Sequence, residues 1–128
     1  MISAFKSLLG EQNVLTEEQL SERYVHIWRM NDGLTAEALL LPESTEEVSE
    51  IMKICTAHNQ PVVVHGGLTN LVGSTETNSQ EVVISMERMR TIEELDSSSR
   101  TVTAQAGVIL ENVQKLAEEN DLLFPMNF

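Results

Sequence analysis

The residues best suited to chemistry lie in one stretch, PVVVHGGLTNLVGS, from Pro61 to Ser74. Its run of valines predicts a buried strand that stops at Gly66-Gly67, with Gly73 following soon after. Glycine reaches positive φ freely, so the backbone can turn sharply off a strand. It also lacks Cβ, so a bulky anion can approach the main-chain N–H groups, and a short series of these makes a concave anion site. Thr69 and Asn70 can add side-chain hydrogen bonds at the rim. A tight turn that happens to carry glycines would have the same spacing, so the loop alone leaves both readings open. The dinucleotide fingerprint Gly-x-Gly-x-x-Gly and the P-loop Gly-Lys-Ser/Thr are both absent.

The other reactive side chains form no second site. His26, His58 and His65 show no metal-ligand spacing with one another or with Cys55, so no metal is expected. The lone Cys55 excludes an internal disulfide and, in a helical pattern, reads as a small buried hydrophobe.

The elements that must position the loop can be read from periodicity and punctuation. Two short helices are expected over 2–10 and 16–24, the second with Thr16 as N-cap and Glu17 and Glu18 in its first turn. Asn31 to Gly33 is turn chemistry, and TAEALLLP is a strand ending at Pro42. A helix comes next, with a capping box in which Ser44 accepts the N–H of Glu47 and Glu47 reaches back to Ser44. Val48, Ile51, Met52 and Cys55 form its apolar stripe. With PVVV close behind, the order strand, helix, strand suggests a βαβ unit of two parallel strands. The glycines then sit at a strand's C-terminal end, where open α/β sheets place ligands. Further on, EVVISM, an extended segment in RMRTIEELD, and TVTAQAG read as strands, with SSSR a turn. VILENVQKLAEEN is an amphipathic helix with Leu110, Val113, Leu116 and Ala117 inward, leading into the apolar end DLLFPMNF.

Composition narrows the possible partners. With 128 residues the chain fits one domain, and its net charge of −12, from 8 basic and 20 acidic residues, argues against nucleic acid. No apolar run approaches the roughly 20 residues that span a bilayer, and a cytoplasmic protein is the default.

Taken together, the motifs resemble the vanillyl-alcohol-oxidase/PCMH-type FAD-binding flavoproteins, whose pyrophosphate loop reads roughly Gly-Gly-x-Thr-x-x-x-Gly after a hydrophobic strand. LLLPESTEEVSEIMKICTAHNQ resembles the strand and helix before that loop. The stretch from VVISMERMRTIEELD to LLFPMNF resembles the strands and helix beyond that loop, and RYVHIW resembles an N-terminal Arg-Tyr-x-x-Asp-Trp, with His26 or Ile27 in place of the acid. The resemblance covers residues 21–128 and is nearest the branch of D-lactate dehydrogenases, glycolate oxidase subunits and D-2-hydroxyglutarate dehydrogenases. It implies an α+β (α/β) fold, the N-terminal part of a PCMH-type FAD-binding domain: a βαβ unit, further strands and a helix. A helical segment over 1–34 would precede an incomplete FAD-binding portion over 35–128.

The activity implied is oxidation of a small 2-hydroxy acid by hydride transfer to FAD. By position, the backbone of Gly66, Gly67, Leu68, Thr69 and Asn70 would surround the pyrophosphate, Gly73 and Ser74 would close the loop, and Pro125 would begin the segment passing near the flavin. Thr69 stands where some relatives attach FAD through histidine, so non-covalent FAD is expected. No residue is assigned a catalytic role. Departures include Leu68 for a small or polar residue, Ser74 for a common glycine and Arg90 for a usual asparagine. Family members continue far past the Phe-Pro point, so the sequence reads as an N-terminal fragment or truncated frame, inactive alone, whose apolar end would suit the remainder of the enzyme or another subunit. The alternatives are a non-catalytic nucleotide- or partner-binding module and an α/β domain without a ligand.

Overall fold

The computed structural model describes residues 1–126; Asn127 and Phe128, the last residues of the apolar end, lie outside it. The chain divides into two units, Met1–Arg88 and Met89–Phe128.

The first unit is built on a four-stranded sheet. Its strands are β1 (Val14–Leu15), β2 (Ala38–Leu40), β3 (Val62–His65) and β4 (Val82–Ser85), in the order β1-β2-β4-β3. β4 runs parallel to both β2 and β3, and β1 pairs antiparallel with β2. The expected βαβ unit is present, with β2 and β3 parallel, but they are not neighbours because β4 inserts between them. Burial explains that order: every residue of β4 is buried, whereas Val64 of β3 is half exposed, as an edge position allows.

Two apolar layers cover the sheet. On one face helices α1 (Ile2–Leu9) and α3 (Thr45–Ala57) bring Phe5, Leu9, Ile51 and Cys55 onto Val14, Ala38, Leu40, Val82 and Ile84. On the other, residues 20–34 bring Leu20, Val25 and Leu34 onto Leu39, Leu41 and Val83. Here the expected helix over 16–24 shrinks to a single turn, α2 (Glu18–Ser21), with Leu20 its one buried residue. Thr16 does not cap it; Glu17 occupies that position at φ 49°. One turn with one anchor cannot propagate, and the chain leaves it to place Val25 and Leu34 on the sheet.

α3 starts as its sequence demands: the Ser44 hydroxyl accepts the Glu47 amide at 3.1 Å. The Glu47 carboxylate, however, takes the amide of Glu43 at 2.7 Å instead of that of Ser44. The inward stripe is Ile51 and Cys55 with Val48 and Ile54 half-buried, while Met52, expected inward, faces solvent. The helix ends on Asn59 at φ 50°, with Asn59 and Gln60 amides returning to the carbonyls of Thr56 and Cys55.

In the second unit, β5 (Ile92–Asp96) and β6 (Thr101–Ala104) form an antiparallel hairpin with an irregularity between Ile92 and Glu94. Asp96 organises its turn by accepting the amides of Ser98 and Ser99 and the Ser99 hydroxyl. Helix α4 (Leu110–Glu119) buries Val113 and Ala117; Leu110 and Leu116 are half-buried. Between hairpin and helix lies a cavity of about 380 Å³, lined by Leu95, Val102, Val113, Ala117 and Leu122 among others. Among the described residues no helix is long and apolar enough to cross a membrane.

Candidate functional site

The glycine loop leaves β3 beside the C-terminal end of β4, where the Met86 amide donates to the His65 carbonyl at 2.9 Å. The sharp turn is not made by the paired glycines. Positive φ occurs at Leu68 (58°) and Gly73 (71°), not at Gly66 or Gly67. Leu68 holds a left-handed backbone at a cost of about 1–2 kcal/mol. Its half-buried side chain and its carbonyl, which accepts the Ile27 amide at 3.2 Å, hold it there.

Conformation therefore does not require glycine at 66 or 67, and neither does packing. A Cβ at Gly66 would meet no heavy atom within 4 Å, and one at Gly67 would meet only the Thr69 methyl at 3.9 Å. What their missing side chains leave clear is the space over the backbone. The amides of Gly66, Gly67, Leu68, Thr69 and Asn70 donate to no acceptor among the described residues. A row of unsatisfied N–H groups with open space above them fits a phosphate-bearing cofactor.

The rest of the loop is braced from within. The Asn70 side chain, expected at the rim, points into the loop: its carbonyl oxygen accepts the amides of Val72 and Ser74, each at 3.2 Å. Its Nδ2 donates to the Thr75 hydroxyl at 2.8 Å, and that hydroxyl donates to the Val25 carbonyl at 2.6 Å. The Ser74 amide is thus committed inside the loop. His65, 2% exposed, donates from Nε2 to the Thr75 carbonyl at 2.8 Å. Burial lowers its pKa, and the Thr75 bond only partly opposes this, so the ring is neutral. His26 contacts the Asn70 carbonyl through Nε2.

Gly66 and Gly67 also border a cavity of about 180 Å³, with Arg23, Ser85 and Glu87 in its wall. Arg23 grips Glu87 with both terminal guanidinium nitrogens, at 2.9 and 3.0 Å, and the Ser85 hydroxyl donates to the same carboxylate at 3.0 Å. Burial would raise the Glu87 carboxyl, but hydrogen bonding and charge from Arg23, helped by Ser85 and Arg88, hold it below the ordinary carboxylate value. The carboxylate beside the loop is therefore matched by a cation and offers little repulsion to an anion. The sequence signal for this pair was the Arg-Tyr of RYVHIW, whose distant partner Glu87 nothing in the sequence marks. Pro125 lies in the second unit. Among the described residues no group of His, Cys, Asp and Glu could hold a metal.

Comparison with known proteins places the chain in a family. Residues 36–128 match the FAD binding domain family. The chain belongs to that family. This FAD binding domain is 32% identical over 126 residues to the mitochondrial D-2-hydroxyglutarate dehydrogenase of Arabidopsis thaliana, covering 98% of this chain and 22% of the relative. Among solved structures, alkyldihydroxyacetonephosphate synthase superposes with a TM-score of 0.79 at 21% identity, covering 93% of this chain and 24% of that one. p-Cresol methylhydroxylase gives 0.68 at 22% identity, with 94% and 24% covered. These likenesses establish the fold as the N-terminal part of a PCMH-type domain. The chain spans about a quarter of the length of the curated relatives it matches. FAD is the cofactor of this domain, and the residues present fit it: bared amides, no Cβ in the way, and a balanced charge nearby.

Proposed function

We propose that this chain holds the diphosphate of FAD in an oxidoreductase acting on a small 2-hydroxy acid of the D-lactate, glycolate or D-2-hydroxyglutarate type. The observation that carries the reading is the pair Gly66-Gly67, whose missing side chains serve no conformational or packing need of the chain itself. The substrate class is supported by the relatives' names, D-2-hydroxyglutarate dehydrogenase among them.

The chain's own residues bind and orient. The amides of Gly66, Gly67, Leu68, Thr69 and Asn70 donate to phosphate oxygens without any positive side chain, which suits a chain of net charge −12. Gly73 permits the loop's return at positive φ, while the Asn70 side chain and the Ser74 amide keep its shape. Thr69 supplies no nucleophile of the kind that attaches flavin, so the cofactor is held non-covalently. Pro125 is assigned near the flavin on the resemblance alone. FAD, when bound, supplies the two-electron acceptor for the substrate's α-hydrogen. We place the protein in the cytoplasm, a compartment in which its one thiol, Cys55, would stay reduced.

The test is to express the longest reading frame that contains this chain. Flavin content and dye reduction with D-2-hydroxyglutarate, D-lactate and glycolate are then measured. Co-purifying flavin with turnover of one of these acids is expected. Flavin-free protein that oxidises none of them would reject the assignment.

A further inference from the structure

Two carbonyls of the glycine loop are tied to the same neighbouring segment. The Leu68 carbonyl accepts the amide of Ile27, and the Asn70 carbonyl contacts Nε2 of His26. The other His26 nitrogen, Nδ1, accepts the Trp28 amide at 3.1 Å. An amide can only donate and a carbonyl can only accept, so the ring's partners fix it as the neutral tautomer carrying its proton on Nε2. In a trans peptide, C=O of one residue and N–H of the next point in opposite directions. The Thr69 and Leu71 N–H groups therefore both face away from residues 26–27, two residues apart and on one side of the loop. Neither finds an acceptor among the described residues, and Leu71 is 86% exposed.

We infer that His26 is a positioning residue of the diphosphate loop: by holding the Asn70 carbonyl it turns the Leu71 N–H outward as a donor to the same anion as Thr69. This rests on the FAD reading above and extends the donor set beyond Asn70. It also gives His26, which stands at or next to an acid of the resembled motif, a task an ionised carboxylate cannot perform, since a carboxylate has no proton to donate to a carbonyl. The neighbouring Val72 and Ser74 amides could not replace Leu71, because both are already spent on the Asn70 side chain.

The test uses the 128-residue chain, labelled with nitrogen-15 and titrated with inorganic pyrophosphate and with ADP. Saturable shifts are expected at the Thr69 and Leu71 amides together with those of Gly66 to Asn70. His26→Gln places an N–H donor where Nε2 sits and should retain the Leu71 shift. His26→Asn keeps an acceptor for the Trp28 amide but cannot reach Asn70. It should lose that shift and bind about tenfold more weakly, as loss of a charge-assisted hydrogen bond implies. If the 66–70 amides move and Leu71 does not, or if Asn performs as well as histidine, or if Gln fails as Asn does, the inference is overturned while the diphosphate reading stands. If no amide from 66 to 71 moves, the diphosphate reading itself falls.

Discussion

His65 and Thr75 are joined across the base of the glycine loop, the buried imidazole donating from Nε2 to the Thr75 carbonyl at 2.8 Å. The same threonine's hydroxyl carries the bonds to Asn70 and Val25. One residue thus couples the end of β3, the middle of the loop and the N-terminal segment. Replacing His65 by Ala would leave a buried carbonyl unpaired and a void beside it. We expect a loss of about 3 kcal/mol, read from urea unfolding.

The same histidine makes stability depend on pH. Its folded pKa lies below the ordinary 6.5, chiefly through burial. The unfolded chain therefore takes up a proton first as pH falls. His65 contributes fully above that ordinary value, and its contribution declines as pH drops through it toward the lower folded value. Urea midpoints compared at about pH 7.5 and about pH 5.5 should fall more for the native chain than for His65→Gln, which cannot titrate. Equal falls in the two proteins would remove His65 as the cause.

Gly66→Ala separates structure from function. The added methyl meets nothing in the chain and φ there is not positive, so the melting temperature should scarcely change, corresponding to about 0.5 kcal/mol or less. The methyl would occupy the space above the amides, and pyrophosphate or ADP affinity should fall at least about tenfold. An alanine variant that binds as tightly as the native chain would show that this space is not the anion's.

The Arg23–Glu87 pair is bidentate, with side chains 33% and 40% exposed. Partial exposure and solvent screening limit its worth, and a double-mutant cycle with Arg23→Met and Glu87→Gln should give a coupling of about 1 kcal/mol. Because the folded Glu87 pKa is lowered, that coupling is present above the ordinary carboxylate value of 4.5 and fades as pH falls below it.

Isolated, the 128-residue chain should lose FAD on desalting. It spans about a quarter of its relatives, so it offers only part of the contacts, while the translational and rotational cost of binding is unchanged. Visible flavin absorbance after gel filtration measures this directly. Stoichiometric retention would show that this segment alone carries the affinity.

Much of the scaffold was legible because local rules sufficed. Ser44 announces α3, the valines announce β3 and β4, and the run SSSR announces the hairpin turn. Strand order was not legible, since alternation and burial mark a strand without naming its neighbour, and β4 reaches its place between β2 and β3 from about 20 residues downstream. Residues 16–36 defeated periodicity because their anchors, Leu20, Val25 and Leu34, are set by the sheet beneath them and obey no helical repeat. In the site, the glycines were read as serving both open space and a sharp turn. They clear space, but the turn belongs to Leu68. The inward use of Asn70 rests on Val72, Ser74 and Thr75 close by, whose bonds form only once the loop has closed on itself. The contacts of His26 and Arg23 depend on partners distant in sequence, which composition and spacing do not encode.

Cys55 sits on the inner face of α3, 2% exposed, and burial raises its thiol pKa. A thiol that is both protonated and out of reach reacts only when the helix lifts from the sheet. The first unit thus contains its own clock: the rate at which an alkylating reagent consumes this one sulfur counts how often α3 comes away from the sheet.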